Sequence, residues 1–300
     1  MPRALKTRHL QVFLAVAKAG SMQNAARDVH LSQPAISKLA GELEIIFGAP
    51  LFERSKRGVT PTECGHALMT RARLMLNDFE SAKGELSAIA SGAIGRVRVG
   101  VLPVAEAMLS RTLLALRSSA PGLAVLVEDG NAFVLLNALR QGDIDCMISR
   151  IDVGAANQDL HIEKLVRMPI SVVTSPTHPL ARAKRVSWSE LATYPWILPR
   201  VGAPIRAVID HEFTCVGLSA PIPAIESSSV RINRMVVAAT EMIAVMVYDA
   251  ARSYTRSGEL AIVPVKFATP APYIGVITRT AEVSHALGTF LTALRAQCKR

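Results

Sequence analysis

The chain has 300 residues, of which 50% are hydrophobic and 19% are charged. This length suggests two or three domains, and the apolar content suffices to pack a core in each. The 34 Lys and Arg residues outnumber the 24 Asp and Glu residues, and the net charge of +10 agrees with a polyanionic partner. The first 90 residues hold 12 basic and 8 acidic side chains, so the basic excess extends beyond them.

Hydropathy and cysteine usage exclude several classes of protein. The apolar run Val236–Val247 is too short to cross a bilayer and is interrupted by Glu241. The basic N-terminus leads into an amphipathic helix, so no signal peptide is expected. Four widely spaced cysteines without a CxxC pair predict reduced thiols, with neither a zinc site nor a disulfide framework. We therefore expect a cytoplasmic protein with no membrane span, metal or cofactor, and no enzyme motif is present.

Residues 20–48 have the layout of two short helices joined by a tight turn. An Ala-rich helix is predicted over Met22–Val29, and an amphipathic helix follows over Gln33–Phe47. Ser32 is placed to cap the second helix, and Pro34 lies in its first turn, where a missing N–H costs nothing. A plain αα-hairpin would have the same outline, so the shape alone does not decide between a structural and a DNA-binding role.

The residue types favour DNA binding. In a helix-turn-helix protein the N-terminal residues of the second helix enter the major groove. Gln33 can pair with a base edge, whereas Ser37 and Lys38 suit a phosphate or a base. The candidate DNA-contacting residues of this helix are Ser32, Gln33, Pro34, Ala35, Ser37 and Lys38.

A short β-hairpin is predicted directly after this helix pair. Leu51–Arg54 is strand-like, a basic turn follows, and Val59 begins the return strand. Basic residues on a turn usually form only a solvated loop. Beside a helix pair of this kind they suit a wing that contacts the sugar-phosphate backbone, and the candidates are Arg54, Lys56 and Arg57.

These features are similar to a known family. Residues 5–66 closely resemble the winged helix-turn-helix of LysR-type transcriptional regulators. The matching positions are Phe13, Ala25, Ala26, Leu31–Ser37, Leu43, Glu44, Gly48, Leu51–Arg54, Thr60–Thr62 and Gly65. The resemblance implies dimers that pair on double-stranded DNA as a homotetramer, a small-molecule effector, and an effect on RNA polymerase at a nearby promoter.

A long helix is predicted from the cap residue Thr62 to about Ser91. Its apolar residues recur in steps of four and three, which is a heptad seam typical of a coiled coil. The seam consists of Leu68, Ala72, Met75, Phe79, Ala82, Leu86 and Ile89. We expect a dimer to cover this seam, and the resemblance implies the same. The alternative is a helix that lies on the core of its own chain.

Beyond the break at Ser91–Gly95 the pattern changes to alternating strands and helices, which predicts α/β layers with mostly parallel sheets. The predicted strands are Val97–Val101, Ala124–Glu128, Cys146–Ser149, Ile170–Thr174, Trp196–Leu198, Ala224–Ser227, Ile243–Val247 and Tyr273–Ile277. The predicted helices are Ala105–Ser118, Phe133–Gln141, Pro204–Val216, Val230–Ala239 and Val283–Gln297.

The resemblance implies that this part is a periplasmic-binding-protein-like domain of two lobes. We expect a DNA-binding domain at 1–61, a dimerisation helix at 62–91 and an effector-binding domain at 92–300. Within the last, lobe I is expected at 92–165 and 266–300, and lobe II at 166–265. The chain should cross between the lobes near Glu163–Met168 and near Val263–Phe267.

Open α/β sheets bind ligands at the carboxyl ends of their strands, beside helix N-termini that favour anions. This rule selects five loops, and the resemblance implies an effector cleft between the lobes lined by equivalent loops. The candidate effector-binding residues are Leu102, Pro103, Val104, Glu128, Asn131, Arg150, Arg200, Gly202, Ser227, Ser228 and Ser229. Unlike many family members, the loop at Leu102 offers no hydroxyl group.

Several alternatives stay open from the sequence. Arg150 and Arg200 suit an organic acid, whereas Glu128 with Arg150 suits the hydroxyl groups of a sugar-like effector. The short elements beginning at Gly100, Val127 and His178 are similar to the branch that controls aromatic-acid and sugar catabolism. A stand-alone solute-binding protein and a thiol redox sensor acting through Cys215 are the remaining readings.

Overall fold

A computed structural model describes residues 4–55, 58–151, 159–279 and 283–298. The N-terminal part contains α1 (Thr7–Ala19), α2 (Met22–Asp28), α3 (Gln33–Phe47), β1 (Phe52–Ser55), β2 (Gly58–Pro61) and the long helix α4 (Glu63–Ser91). Strands β1 and β2 pair antiparallel as the predicted hairpin. The side chains of Phe13, Ile36 and Leu43 are fully buried where the first three helices meet.

Helix α4 begins at the predicted cap. The Thr62 hydroxyl accepts a hydrogen bond from the Gly65 N–H at 3.0 Å and donates to the Pro50 carbonyl at 2.8 Å. A Cβ at Gly65 would lie 2.3 Å from the Leu51 carbonyl oxygen, so only glycine allows the helix to approach the wing this closely. The start of α4 is therefore fixed to the DNA-binding domain.

The apolar seam of α4 divides into two parts. Leu68 and Ala72 are buried in the core of the same chain's helix-turn-helix, so the alternative of packing on its own chain holds for this part of the seam. The remaining large side chains of the seam are exposed in the single chain. Met75 is 47% exposed, Phe79 48%, Leu86 68% and Ile89 70%.

The C-terminal part forms two lobes, each built on a five-stranded sheet. Lobe I contains β3 (Gly95–Val101), α5 (Glu106–Ser119), β4 (Leu123–Asp129), α6 (Ala132–Gln141), β5 (Cys146–Ile151), β6 (His161–Arg167), β12 (Tyr273–Thr278) and α11 (His285–Cys298). Lobe II contains β7 (Ile170–Thr174), α7 (Trp188–Leu191), β8 (Trp196–Leu198), α8 (Pro204–Cys215), β9 (Ile225–Glu226), α9 (Val230–Ala239), β10 (Ile243–Val247), α10 (Tyr248–Arg256) and β11 (Ala261–Ile262).

The sheets are mixed, so the expectation of mostly parallel sheets is wrong. The strand order is β4-β3-β5-β12-β6 in lobe I and β11-β7-β10-β8-β9 in lobe II. In lobe I, β3 is parallel to β4 and β5, whereas β12 is antiparallel to β5 and β6. In lobe II, β7 is antiparallel to β10 and β11, whereas β8 is parallel to β10 and β9. In each sheet the antiparallel strand, β12 or β7, is therefore the first one after a crossing between the lobes.

The two crossings lie side by side. Strand β6 continues to Arg167 in the lobe I sheet, and the Met168 N–H donates to the Pro272 carbonyl of the returning segment at 2.8 Å. The returning segment stays with lobe II through Thr269. The lobe boundaries expected at 165/166 and 265/266 lie within a few residues of these contacts. No observation tests the exact boundaries, so they stay predictions.

One apolar core spans both lobes. Val101 and Phe290 of lobe I belong to the same buried cluster as Trp196 and Phe213 of lobe II. No helix within the described ranges is both long and apolar enough to span a bilayer.

Candidate functional site

The start of α3 presents its polar residues outward. Ser32 caps the helix, since its Oγ accepts a hydrogen bond from the Ala35 N–H at 3.4 Å. Ile36 is fully buried and holds the inner face against the core. The candidate residues Ser32, Gln33, Pro34 and Lys38 are exposed, and Ala35 and Ser37 are partly exposed. The local fold therefore leaves one face of this helix start open for a partner.

A groove of about 460 Å³ brings the helix start and the wing together. Gln33 from α3 and Arg54 from β1 both line it. Ser21 and Gln23, at the start of α2, line the same groove and were missed by sequence reasoning. The sequence signal that could have identified them is a serine at the capping position of α2. The Ser21 Oγ accepts a hydrogen bond from the Asn24 N–H at 3.4 Å. Lys56 and Arg57, the other predicted wing residues, lie outside the described residues.

The wing is fixed to α3 through Glu44. Its Oε1 accepts hydrogen bonds from the backbone N–H groups of Leu51 at 2.8 Å and Phe52 at 3.1 Å. Hydrogen bonds to a carboxylate are stronger than neutral ones, so this contact sets the position of β1 relative to the helix. The Phe13 and Phe52 rings, with centroids 5.2 Å apart, add an apolar contact below it.

The return strand of the wing docks on the turn between α1 and α2. The Val59 N–H donates to the Gly20 carbonyl at 2.9 Å. Gly58 has a φ of 126°, and a Cβ there would lie 2.6 Å from the same carbonyl oxygen. Only glycine fits this position. Both strands of the wing are thus held in place on the helices.

A buried polar pair fixes α1 against α3. His9 Nε2 lies 3.1 Å from Glu42 Oε2, and His9 is 2% exposed. The His9 Nδ1 accepts a hydrogen bond from the Lys6 N–H at 3.1 Å, which assigns the ring proton to Nε2 as the donor to Glu42. Sequence reasoning missed this pair because its members are 33 residues apart.

The lobe I candidates follow the carboxyl ends of β3, β4 and β5. Pro103 and Val104 lie in a short 3₁₀ turn, and the preceding Leu102 N–H donates to the Ile148 carbonyl at 3.1 Å. Asn131 caps α6, since its Oδ1 accepts from the Val134 N–H at 3.0 Å. The three strand ends thus meet at one edge of the lobe I sheet, as the sequence predicts.

Arg150 and Glu128 lie at this edge in different settings. Arg150 lies near the end of β5, and its guanidinium nitrogens Nε and NH1 are buried. Glu128 is exposed on β4. Strand β3 lies between the two strands, so their backbones are about 10 Å apart. The arrangement offers a sheltered cation and an exposed carboxylate at the same sheet edge.

The lobe II candidates follow β8 and β9. Arg200 and Gly202 are exposed in the loop after β8, where Gly202 has a φ of 87°. Two of the three serines accept hydrogen bonds from backbone N–H groups at the start of α9. The Ser229 Oγ accepts from the Ile232 N–H at 3.3 Å, and the Ser227 Oγ accepts from the Ser229 N–H at 3.1 Å. Each of these hydroxyls keeps its proton to donate, and Ser228 is exposed.

Two buried polar residues support these loops and were missed by sequence reasoning. The Arg206 guanidinium, paired with Asp210 at 2.7 Å, also reaches the Pro199 carbonyl at 3.4 Å. Asn233, 5% exposed, donates to the Ser227 carbonyl at 3.4 Å. Helix α8 therefore holds the Arg200 loop, and α9 holds the serine loop.

The cysteines are all free thiols. Cys146 is fully buried in β5, and burial raises the pKa of its thiol well above the ordinary value. Cys215 is exposed, with its sulfur 3.4 Å from His211 Nε2. Because a buried protonated thiol reacts slowly, Cys146 is a poor disulfide partner for a redox sensor acting through Cys215. Among the residues that the structure describes, no cluster of three metal-ligating side chains occurs.

Comparisons with known proteins cover both parts of the chain. Residues 7–66 match the family described as bacterial regulatory helix-turn-helix protein, lysR family, and residues 90–299 match the LysR substrate binding domain. The HTH-type transcriptional regulator GbpR of Azospirillum brasilense is 31% identical over 295 residues, covering 97% of this chain and 86% of that protein. The regulator GalR of Pseudomonas putida is 30% identical over 276 residues, covering 92% and 69%.

The same architecture occurs in a solved structure. Full-length CbnR complexed with its target DNA aligns with a TM-score of 0.69 at 23% sequence identity, covering 98% of this chain and 100% of CbnR. The two family matches together extend over nearly the whole sequence and join a DNA-binding to an effector-binding domain. The chain belongs to the LysR family of DNA-binding transcriptional regulators, which are not enzymes.

Proposed function

We propose that this regulator binds a specific DNA sequence through α3 and the wing, and that a small-molecule effector between the lobes controls it. The observation that carries the DNA-binding assignment is the groove shared by Gln33 and Arg54. It places a side chain that can read a base edge beside one that can hold a phosphate. A cytoplasmic location is part of this proposal, since the protein must reach genomic DNA.

The exposed part of the α4 seam supports a homodimer. Met75, Phe79, Leu86 and Ile89 form an apolar strip that a second copy of α4 can cover. Two dimers on neighbouring DNA sites would form a homotetramer, which the effector rearranges to alter contact with RNA polymerase. The effector can drive this change only through different affinities for the two arrangements.

Arg54→Ala is expected to weaken binding to all DNA sequences and to lower the salt slope of log Kd by about 1, because one phosphate contact is lost. Gln33→Ala is expected to relax base preference at one position by about 1–3 kcal/mol. Operators selected from random duplexes, with fluorescence anisotropy at several salt concentrations, measure both effects. Arg117→Ala, which removes an exposed arginine from α5, is the matched control.

The DNA-binding assignment fails if Arg54→Ala leaves both the affinity and the salt slope of wild type. The Lys56→Ala/Arg57→Ala variant tests the predicted wing tip in the same assay. It should flatten the salt dependence further while leaving base preference unchanged.

For the effector we propose an organic acid or a sugar-like metabolite. The sheltered Arg150 guanidinium, the serine hydroxyls and the N-termini of α6 and α9 favour a carboxylate. The exposed Glu128 would instead accept hydrogen bonds from hydroxyl groups. An acid should therefore be held mainly by Arg150, and a sugar by both residues.

A thermal-shift screen of small carboxylic acids and sugars separates these two classes. A compound at 100 times its Kd stabilises the fold by about 2.7 kcal/mol. Arg150→Met should abolish the shift caused by an acid while leaving DNA affinity unchanged. Arg117→Met is the control for the lost charge. A full shift in Arg150→Met would remove Arg150 from the effector site.

A further inference from the structure

Helix α6 connects the candidate effector cleft to α4, the long helix that carries the DNA-binding domain. We call α4 together with this domain the DNA-binding arm. Its first residue follows Asn131, which caps it at the cleft edge of lobe I. Its last turn ends at Gly142, against the side of α4. Ten residues at 1.5 Å per residue place these two ends about 15 Å apart.

The contact at the C-terminal end of α6 is polar and specific. Asn77 of α4 donates from its Nδ2 to the Gln141 carbonyl at 2.9 Å and to Asp143 Oδ1 at 3.0 Å. Arg73, one turn earlier on α4, donates to the Gln141 side chain. We call these four residues, Arg73 and Asn77 with Gln141 and Asp143, the α4–α6 latch.

A glycine at the centre of the latch allows the close approach. Gly142 has a φ of 75°, and its N–H donates to the Leu139 carbonyl at 3.1 Å. A Cβ at this position would lie 3.1 Å from Leu74 Cδ2 and 2.1 Å from Arg279 NH1. Any side chain would therefore strain the helix end, displace the Arg279 guanidinium and press on Leu74 of α4.

Beyond the latch, polar side chains join α4 to lobe I: Arg98 of β3 donates to the Ser81 Oγ at 3.4 Å, and the Arg279 guanidinium lies 3.6 Å from Asp78 Oδ1. A groove of about 620 Å³ lies between them, and Ser81, Gly84 and Ser87 of α4 face β3 and β4 across it. Ala88 closes the far end, where it is buried near Gly95. The latch and the chain connection thus hold α4 at the two ends of this stretch, and polar contacts beside an open groove lie between them.

We propose that α6 couples the effector site to the placement of the DNA-binding arm by opening and closing the α4–α6 latch. The inference rests on the proposed effector cleft and deepens it. A ligand that contacts the Asn131 end and prefers one position of α6 shifts the latch equilibrium. By linkage, opening the latch changes the affinity for that ligand by the same factor as the ligand changes the latch equilibrium.

The packing of α6 suits movement as one unit. Leu135 and Leu139 are buried in a small cluster on one face of the lobe I sheet, separate from the core that spans the lobes. The opposite face is open, with Phe133 75% and Val134 54% exposed. A short helix held by one apolar face and a polar contact at its end can shift without disturbing the main core.

Hydrogen exchange on the full-length protein tests the coupling without any effector. Asn77→Ala removes two hydrogen bonds from the latch and lies outside α6. We expect exchange to accelerate about 2- to 10-fold at Gly142 and Asp143, and also at Val134 and Leu135 in the first turn of α6. Ser87→Ala, on the groove side of α4 beyond the latch, should change neither end.

Acceleration confined to Gly142 and Asp143, with Val134 and Leu135 at wild-type rates, would overturn the inference. Amides of α5 serve as an internal reference, since a general loss of stability would accelerate them too. Gly142→Ala is a second variant that should open the latch more fully and give the same two-ended pattern. Anisotropy with operator DNA on the same samples tests the proposed function separately, because a folded variant that binds DNA without two-ended exchange contradicts only the coupling.

Discussion

Introducing two charges by Met75→Glu and Phe79→Glu is expected to dissociate the regulator into monomers and to weaken operator binding by about 10²- to 10⁴-fold. Both side chains are about half exposed in the single chain, at 47% and 48%, so the fold itself should tolerate the change. In a dimer their faces would be dehydrated, and carboxylates there would lie against an apolar surface without a partner. The loss of affinity follows from losing the second DNA-binding domain on the same assembly.

Sedimentation velocity and anisotropy with a two-site operator measure the two effects. Thr70→Glu with Ser87→Glu adds the same charge to exposed positions of α4 away from the seam and should leave assembly unchanged. Wild-type sedimentation of the Met75/Phe79 variant would show that α4 does not form the dimer contact. The helical content by circular dichroism should be equal in all three proteins.

The sequence predicts elements well where local pattern and burial agree. The limits of Ile170–Thr174, Trp196–Leu198, Ile243–Val247 and Val230–Ala239 agree with the structure at both ends. The three strands are buried at every position, two of them as continuous apolar runs and the first with only Ser171 and Thr174 as polar residues, and α9 is bounded by its capping serine. Such signals need no knowledge of the rest of the chain.

The same rules fail where the partner of a residue is distant. Strand β6 carries Glu163, Lys164 and Arg167 at the edge of its sheet, so no apolar run marks it, and the predicted crossing between lobes falls on it. Charged edge strands are common because they prevent association, but they resemble loops in sequence. Only the pairing with β12 identifies this segment as a strand.

The site was predictable to the extent that topology determines it. Loops after parallel strands could be placed at one sheet edge from the strand list alone, and Asn131 and the serine loop follow from capping. Arg206, Asn233 and the latch residue Asn77 gave no signal, because a polar residue on a helix usually faces water. Their roles depend on backbone groups that only the tertiary fold brings near.

Glu212→Ala is expected to destabilise the effector domain by about 3–5 kcal/mol. Glu212 of α8 is 1% exposed, and its carboxylate accepts hydrogen bonds from the N–H groups of Ala268 at 2.8 Å and Thr269 at 2.7 Å. These amides belong to the segment that returns from lobe II to lobe I. Removing the carboxylate leaves two partly buried donors unpaired and frees the second crossing from lobe II.

Calorimetry should show this loss as a fall in Tm of roughly 10 °C for a domain of this size. Glu212→Gln keeps the shape but turns an amide N–H₂ toward a backbone N–H, so its Tm should fall by an intermediate amount. Glu226→Ala, which removes an exposed carboxylate from β9 in the same lobe, is the matched control. If Glu212→Ala melts within about 2 °C of the control, the carboxylate does not hold the crossing.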